Sequence, residues 1–381
     1  MKNKILTGLL LVLIGGWGSL SAQSAGSNYA RQVNTLIGTK GVGLTSGYLY
    51  PGATYPYGMV QFTPSYFSKR SGFVINQLSG GGCEHMGNFP TFPVKGKLKM
   101  SPDNILNYRI NISEEKGHAG YYEAMVQEDI KAKLTVTERT GMASYEYPAD
   151  QQYGTVIIGG GISATPIEQA AIVITAPNKC EGYAEGGNFC GLRTPYKVYF
   201  VAEFDTDALE SGTWKRDELK PNTTFAEGEY SGVYFTFDVN KKKNIQYKIG
   251  VSYVSVENAR ENLKAENTGW DFLQIQNQAE SKWNHYLGKI EVEGTNPDRT
   301  TQFYTHLYRS FIHPNVCSDV NGEYMGADFK VHKSRSKHYT SFSNWDTYRT
   351  QIQLLSILDP EVVSDIVISH QLFAEEAGGA F

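Results

Sequence analysis

A short segment near the C-terminal end of the sequence, residues 341–349, brings together three side chains that suit sugar recognition. Trp345 offers a flat apolar ring, Asp346 a carboxylate and Arg349 a guanidinium. Sugars bind by stacking a C–H face on an aromatic ring and by hydrogen-bonding their hydroxyls to planar polar groups. The segment therefore predicts a carbohydrate site at the start of an amphipathic helix.

Two purely structural interpretations of the same segment compete with a site. Ser343 and Asp346 fit the S-x-x-D capping pattern, in which Asp346 only ties down the helix N-terminus. An apolar stripe at helical spacing would simply be core; it comprises Trp345, Tyr348, Ile352 and Leu355. Features of the rest of the chain are needed to choose between a sugar site and these structural interpretations.

Length and composition narrow the class of protein. The 381 residues suffice for two or three domains with a sizeable core. The net charge of -4 gives no electrostatic case for binding nucleic acid or an anionic membrane. Aromatic residues make up 13% of the chain, which favours surfaces for flat ligands such as carbohydrates. The 39 glycines indicate many turns and therefore many short strands.

The N-terminus has the features of a signal peptide. Lys2 and Lys4 precede an apolar stretch over residues 5–20, and residues 19–22 form a small-x-small cleavage pattern. We expect a signal peptide over residues 1–22 and a mature chain that begins at Gln23. The apolar stretch is short for a membrane span, so we expect an exported protein, periplasmic or extracellular, without such a span.

After export the four cysteines are expected to be in an oxidising compartment, which permits disulfides. Cys180 and Cys190 bracket the glycine-rich residues 181–189, which we interpret as a loop, and they are the predicted disulfide pair. Cys83 and Cys317 are left either free or paired with each other.

Hydrophobic periodicity divides the chain into two parts. Between residues 120 and 255 apolar residues alternate with polar ones, as in antiparallel strands with one buried face. The predicted strands include 130–137, 143–147, 155–158, 198–204, 233–239 and 245–253, with an earlier one at 59–62. Many short strands with frequent turn signals favour a β-sandwich.

From about residue 258 the period becomes helical. We expect helices over 259–266 and from Thr268 to Leu287, then one that ends before Pro314, one over 345–358, and one that starts at Asp359-Pro360; Ile290 and Val292 are predicted as a short strand. The predicted organisation is a β-sandwich over 23–257, a helical linker over 258–296 and a helical domain over 297–381. That last domain is incomplete on this interpretation, because its apolar helix faces need further partners.

A glycine cluster in the first part offers a second place for a ligand. Gly80, Gly81 and Gly82 precede Cys83 and His85. Glycines allow a backbone to approach a ligand closely, and the absence of a following Gly-Lys-Ser/Thr argues against a P-loop. Cys83 with His85 would suit a thiol nucleophile, but no other feature supports an activated cysteine.

Five separated segments, taken in order, resemble glycoside hydrolase family 92, the exo-acting, calcium-dependent α-mannosidases. They are residues 33–39, the Pro-Gly-Ala segment 50–61, the Gly-Cys loop 78–83, the loop that begins at His313-Pro314 and includes Asp319, Tyr324 and Gly326, and the Trp-Asp-Thr-x-Arg helix start within 342–349. The resemblance covers essentially the whole mature chain but only the N-terminal half of a family member.

The resemblance implies a fold and a function. The fold is a β-sandwich packed on an (α/α)6 barrel, of which residues 297–381 would be the first helices. The function is removal of terminal α-linked mannose, in α-1,2 or related linkages, from glycans such as N-glycans. The mechanism is inverting, with one carboxylic acid and one carboxylate base, and a calcium ion contacts the sugar.

The same resemblance limits which residues can be assigned roles. Trp345 and Asp346 match positions that hold the terminal mannose, and Gly82 and Cys83 match the sandwich loop that reaches the same pocket. We expect the catalytic acid, the base and most calcium ligands beyond Phe381. The 381 residues alone are therefore expected to be inactive.

Two other functions remain open on the sequence. The chain could be a truncated, non-catalytic carbohydrate-binding protein, or another sandwich-plus-toroid enzyme such as a glycoside phosphorylase or a polysaccharide lyase. A phosphorylase would need a phosphate pocket with Arg, Lys or His. The carboxylates Asp319, Glu323 and Asp328 are interpreted as residues of a solvated loop.

Overall fold

The structure is a computed structural model that describes residues 28–39, 48–65, 72–105, 108 and 111–379. The predicted signal peptide, its cleavage point and the last two residues lie outside this part of the chain. Among the helices of the described residues, none has the length and apolar character that a membrane span requires.

Strands in two antiparallel sheets precede the first α-helix. They are β1 Ala53–Thr54, β2 Gln61–Pro64, β3 Phe73–Val74, β4 Thr91–Lys95, β5 Ile112–His118, β6 Tyr121–Val126, β7 Ile130–Val136, β8 Thr140–Glu146, β9 Tyr153–Gly159, β10 Ile167–Ala176, β11 Lys179–Phe189, β12 Leu192–Phe204, β13 Glu210–Lys215, β14 Glu218–Pro221, β15 Phe225–Glu227, β16 Ser231–Asp238 and β17 Asn244–Ser252. One sheet has the order β1-β2-β3-β4-β9-β16-β13-β14 and the other β15-β10-β11-β12-β17-β8-β7-β6-β5.

The two sheets pack face to face over one hydrophobic core. Along β6 and the start of β7 every second residue is buried, as expected for strands with one wet face. Side chains from both sheets meet in this core, among them Phe62, Val156 and Phe235 from one sheet and Leu134 and Tyr247 from the other. The predicted β-sandwich is confirmed. The predicted strand at 59–62 is displaced, since β2 begins at Gln61.

Three helices follow the sandwich, each started by a side-chain cap. They are α1 Val256–Glu266, α2 Phe272–Leu287 and α3 Pro297–Ser310, with Ser255, Asp271 and Asn296 as the capping residues. The predicted helix from Thr268 begins later, at Phe272, and its residues Trp283 and Leu287 are fully inaccessible in the core that α2 shares with α3. Ile290 and Val292 form no strand but pack partly buried against this core, which corrects the sequence prediction.

The C-terminal part consists of short strands and three more helices. They are β18 Asn315–Val316, β19 Glu323–Met325, β20 Val331–Lys333, β21 Tyr339–Thr340, α4 Asn344–Thr347, α5 Gln351–Leu358 and α6 Pro360–Glu376. The single helix predicted over 345–358 is wrong, because it is broken between α4 and α5. Thr350 has a φ of 70°, a left-handed conformation that a β-branched residue adopts only as an interruption of a helix.

Residues 50–59, here called the docking segment, join the sandwich to the helices. The Trp283 indole N–H donates to the Thr54 carbonyl at 2.7 Å. The Tyr57 N–H donates to the Phe311 carbonyl and the Tyr57 carbonyl accepts from Val316, both at 2.8 Å. The Tyr57 ring packs edge to face against Tyr286, Phe311 and Tyr339. The docking segment is therefore ordered by contacts with the helices and with β18.

Buried polar groups make a second link between the two parts. The Arg139 guanidinium, at the β7–β8 turn, pairs with Glu138 at 2.9 Å and with Glu266 of α1 at 2.7 Å, and it donates to the Ser318 carbonyl at 2.7 Å. Burial opposes the charge, but the two carboxylates raise the pKa of Arg139. The link thus holds the β7–β8 turn, the end of α1 and the loop after β18 together.

Asp319 is a structural residue, contrary to the interpretation of a solvated loop. It is 2% exposed, and its two oxygens accept hydrogen bonds from Ser252, Asn258 and Asn262 at 2.6–2.8 Å. Burial raises the pKa of this carboxyl, while the three donors act in the opposite direction. The carboxylate joins β17, α1 and the loop before β19.

We predict that Arg139→Ala lowers the free energy of unfolding by about 3 kcal/mol, because it leaves the mostly buried Glu266 carboxylate without its counter-ion and Glu138 with Lys337 alone. Urea denaturation followed by circular dichroism measures this change. Lys220→Ala, which removes an exposed ion pair with Glu218, is the matched control and should change the free energy by less than about 0.5 kcal/mol. An effect of Arg139→Ala as small as that of the control would contradict the structural role.

Candidate carbohydrate-binding site

The glycine loop, residues 78–85, is held in shape by its own histidine. His85 accepts a hydrogen bond from the Leu78 N–H at 2.8 Å through Nε2, and its Nδ1 lies 2.6 Å from the Cys83 carbonyl. A neutral ring with the proton on Nδ1 satisfies both contacts, and burial lowers the pKa of His85. The loop carries Gly82 at its exposed side, where no atom of the described residues lies within 4 Å of an added Cβ.

A disulfide fastens this loop to the tip of the β11–β12 hairpin. Cys83 is bonded to Cys190, with 5.3 Å between their Cα atoms. Phe189, beside Cys190, packs edge to face on the His85 ring at 5.7 Å. The bonded Cys83 has no thiolate, so a cysteine nucleophile at this position is excluded.

The predicted disulfide between Cys180 and Cys190 is wrong. Residues 181–189 belong to strand β11, not to a loop. Ten residues of strand span about 33 Å, whereas a disulfide requires Cα atoms about 6 Å apart. Cys180 and Cys317 are both buried free cysteines, and burial raises the pKa of both thiols well above the ordinary value.

His313 connects the glycine loop to the helices. Its Nε2 accepts a hydrogen bond from the Ser79 N–H at 2.8 Å. Its carbonyl and that of Ser310 accept from the side-chain amide of Gln351, the first residue of α5, at 3.3 and 3.1 Å. Burial lowers the pKa of His313 to about 4, which keeps Nε2 free to accept. The sandwich loop contacts the ring of His313 and the start of α5 contacts its carbonyl, so the two segments meet at one residue.

Trp345 and Asp346 are displayed on the surface by α4. Trp345 is 83% exposed and so lies outside the core formed by the described residues, whereas Leu355 is buried as the core interpretation required. Ser343 makes no side-chain cap, so the predicted capping box is not formed. Its hydroxyl instead donates to Asp346 Oδ2. Asp346 Oδ1 has no hydrogen bond in the described residues and can accept from a ligand.

His370 of α6 fixes the position of this surface. Its ring stacks on Phe342 with the ring centroids 3.7 Å apart, and its Nε2 lies 3.0 Å from Asn344 Oδ1. Arg349 lies beside the Tyr348 ring, 5.0 Å from its centroid, and donates to its hydroxyl. Contacts with α6 thus fix the start of α4, while the rings of Trp345 and Tyr348 remain exposed.

His313 contacts Ser79 of the glycine loop and Gln351 of the helix after α4, close in sequence to the two pairs of predicted site residues. Gly82 and Cys83 belong to the loop that His313 binds, and Trp345 and Asp346 precede the helix that the His313 carbonyl contacts. No hydrogen bond joins the two pairs among the described residues. Sequence reasoning missed His313, Gln351, His370 and Cys190 as residues that build the site, because their roles depend on contacts between distant segments.

The described site residues offer a ring and hydrogen-bonding groups that suit a polyhydroxylated ligand. Asp346 and Glu84 are the acidic side chains of the glycine loop and of residues 341–349. Across the described ranges no group of three or more His, Cys, Asp or Glu is arranged to hold a metal ion. Asp319 does not change this, since amide and hydroxyl donors already occupy both of its oxygens. The residues described here do not fit a calcium site.

Comparison with known families matches nearly the whole chain. The glycosyl hydrolase family 92 N-terminal domain matches residues 32–252, and the catalytic domain of the same family matches residues 258–380. A protein of Arthroderma benhamiae named as an uncharacterized secreted glycosidase is 26% identical over 363 residues, which cover 84% of this chain and 45% of that protein.

Solved structures of similar proteins agree with the family match. A family 92 α-mannosidase of Bacteroides thetaiotaomicron, also solved with mannoimidazole, has 25% identity and a TM-score of 0.82 over 91% of this chain and 50% of its own. An inverting mannosidase of the same family and organism has 26% identity and a TM-score of 0.82 over 92% of this chain and 49% of its own. The chain thus spans about half the length of the relatives that it matches.

The cysteine pairing can be tested directly. We predict that mass spectrometry of a non-reduced digest recovers Cys83 linked to Cys190, and that Cys180 and Cys317 react with an alkylating reagent only after denaturation, because both are buried. The double variant Cys83→Ser/Cys190→Ser should lose about 3 kcal/mol of stability. A peptide that links Cys180 to Cys190 would contradict the structure.

The buried His313 makes stability depend on pH. Its folded pKa lies below its unfolded value, so between about pH 6.5 and 4 the unfolded state binds more protons, and stability falls as the pH falls through this window. One histidine contributes at most about 1.4 kcal/mol per pH unit. We predict that His313→Gln, which retains an acceptor but does not titrate, makes the fall less steep by up to that amount.

Urea denaturation at pH 7, 6, 5 and 4.5 measures this slope. His306→Gln, at an exposed position of α3, is the matched control and should leave the slope as in the original protein. Equal slopes for His313→Gln and the control would show that His313 is not held neutral in the folded state.

Proposed function

Because the chain belongs to glycosyl hydrolase family 92, we propose that it is part of an exported, exo-acting glycosidase that removes terminal α-linked mannose from glycans, in α-1,2 or related linkages. One observation carries this proposal. His313 binds Ser79 of the glycine loop through its ring and Gln351, at the start of α5, through its carbonyl, which supports a site with residues from both parts.

Several findings support the substrate and the location. The solved relatives are named as α-mannosidases, and one of them was solved with mannoimidazole. The Arthroderma benhamiae relative is named as secreted. A disulfide between residues 83 and 190 is stable in an oxidising compartment, such as the periplasm or the extracellular medium, and is rare in the cytosol.

In this proposal the residues of the chain bind and orient the terminal mannose. The Trp345 ring stacks on the C–H face of the sugar, and Asp346 Oδ1 accepts hydrogen bonds from its hydroxyls. Gly82 lets the loop backbone come close, because a larger side chain would occupy the same space. Holding the sugar in one orientation lowers the entropic part of the barrier to hydrolysis.

The chemical step requires groups that the described residues do not supply. An inverting glycosidase needs an acid and a base about 6.5–9.5 Å apart on opposite faces of the sugar. We propose that both, with most ligands of the calcium ion that the resemblance implies, belong to sequence beyond residue 381. The proposal includes the domain boundaries predicted from the sequence: a β-sandwich that ends at residue 257, a helical linker over 258–296 and a helical domain from residue 297.

A non-catalytic carbohydrate-binding protein is the alternative function. The exposed Trp345 and the unpaired Asp346 Oδ1 suit binding as well as catalysis. The two functions differ in one measurement, the release of mannose from an α-mannobiose by the whole protein. Proton NMR of the fresh product distinguishes inversion, which releases β-mannose first, from retention.

We predict that Trp345→Ala and Asp346→Asn each lower kcat/KM for α-1,2-mannobiose by about a hundredfold, because each removes contacts to the terminal sugar. Gly82→Ala should lower it as well while leaving the melting temperature unchanged, since the protein has room for the added methyl group. Phe225→Ala and Asp217→Asn, at exposed positions of the sandwich, are the matched controls. Unchanged kinetics in all three site variants would refute the assigned site.

A further inference from the structure

A second cleft lies on the outer face of the nine-stranded sheet, beside the start of α2. It encloses about 660 Å³, within the range of small-molecule sites. Its lining includes Tyr121, Lys133, Ser144, Gln246 and Trp270. It shares no lining residue with the glycine loop or with α4, so it is a separate feature from the proposed catalytic site.

The floor of this cleft is a polar row across three strands. Lys133 of β7 is directly opposite Ser144 of β8, which is directly opposite Gln246 of β17. Residues in register on neighbouring strands share one face of a sheet, so the three side chains lie side by side. Asn244, two residues from Gln246, accepts a hydrogen bond from the Ser144 hydroxyl at 2.7 Å through Oδ1.

One polar atom of this row has no protein partner. Gln246 Oε1 is buried and accepts no hydrogen bond from the described residues. A buried acceptor without a donor is unfavourable, and few such groups occur in folded proteins. A turn of the Gln246 amide toward the cleft would let Oε1 accept a hydrogen bond from a ligand hydroxyl.

The wall of the cleft supplies an aromatic surface. Trp270 is partly exposed, and the Lys248 ammonium lies 4.4 Å from its ring centroid. This cation fixes the position of the indole ring, and the exposed part of the ring lines the cleft. Tyr121 and Phe272, which pack edge to face at 6.4 Å, continue the apolar surface.

The charges around the cleft favour a neutral ligand. Lys133 has no ion pair among the described residues, and Asp271 lies exposed at the other side, where it caps α2. One cation and one anion in the lining balance each other, which gives no preference for an acidic or a basic ligand. An aromatic face, amides and hydroxyl donors together suit a pyranose ring.

We propose that this cleft is a second carbohydrate-binding site, which holds a neutral hexopyranose residue of the glycan at a distance from the proposed catalytic site. The choice of mannose as that residue rests on the proposed function. Two linked sites on one polysaccharide raise the effective concentration of chain ends at the catalytic site. The cleft would therefore matter for polymeric substrates and not for small ones.

The test measures binding and hydrolysis separately in the whole protein. Isothermal calorimetry with soluble α-mannan, in a Trp345→Ala background that silences the first site, reports on the cleft. We expect Trp270→Ala to raise Kd about tenfold, because stacking is lost. Gln246→Ala should raise it about threefold, since it removes the unpaired acceptor. Phe225→Ala, an exposed aromatic residue of β15, is the matched control and should leave Kd unchanged.

Hydrolysis of 4-nitrophenyl α-mannoside, measured with Trp345 intact, separates this proposal from the proposed function. Trp270→Ala and Gln246→Ala should keep the original kcat/KM on this small substrate. If the protein binds α-mannan through the cleft but hydrolyses neither substrate, the proposed function fails and the cleft stands. If Gln246→Ala, which alters no packed ring, binds α-mannan as tightly as the control, the cleft proposal is overturned, whatever Trp270→Ala does to folding.

Discussion

The structure depends on the burial of the docking segment, residues 50–59, between the sandwich and the helices. A buried backbone must pair its N–H and C=O groups or incur a large desolvation cost. Here the partners come from across the interface, namely the Trp283 indole, the Phe311 carbonyl and the Val316 N–H. Neither part can move without breaking these hydrogen bonds, so the sandwich and the helices hold one fixed geometry.

That fixed geometry brings the candidate site together. Two short strands, β2 and β3, lie between the docking segment and the glycine loop. Asn76 and Asn88 pair at the base of the loop through hydrogen bonds of 2.9 and 3.1 Å. The loop is then fastened by the Cys83–Cys190 bond on one side and by His313 on the other. Three independent restraints hold its exposed glycine edge toward the helices, as a preorganised binding surface requires.

The sandwich and the helices contribute different features to the candidate site, for a physical reason. Strands and their disulfide-bonded hairpin make a rigid platform, whereas the helix start displays rings and a carboxylate that a polar ligand can reach. The buried ion pairs of Arg139 and the amide-bound Asp319 lie at the same junction. Charged groups in that position favour one alignment of the two parts, because any other alignment would leave a charge without its partners.

The sequence by itself determined the order of the elements and the family. Period-two alternation predicted the sandwich strands, helical periodicity predicted α1 to α3, and several separated motifs predicted the family that the comparison confirmed. These signals are local, since each depends on a few neighbouring residues. Trp345 and Asp346 were singled out in the same way, as a motif at a helix start.

Only the tertiary structure decided which distant residues meet. Composition and spacing favoured Cys180 as the partner of Cys190, but the intervening residues are an extended strand that separates them, and Cys83 lies at its end instead. His313 reads as the end of a helix, yet its ring binds a loop more than two hundred residues earlier in the chain. Asp319 reads as a solvated loop residue and is buried. Such pairings arise from the packing of whole elements, which no local pattern of residues encodes.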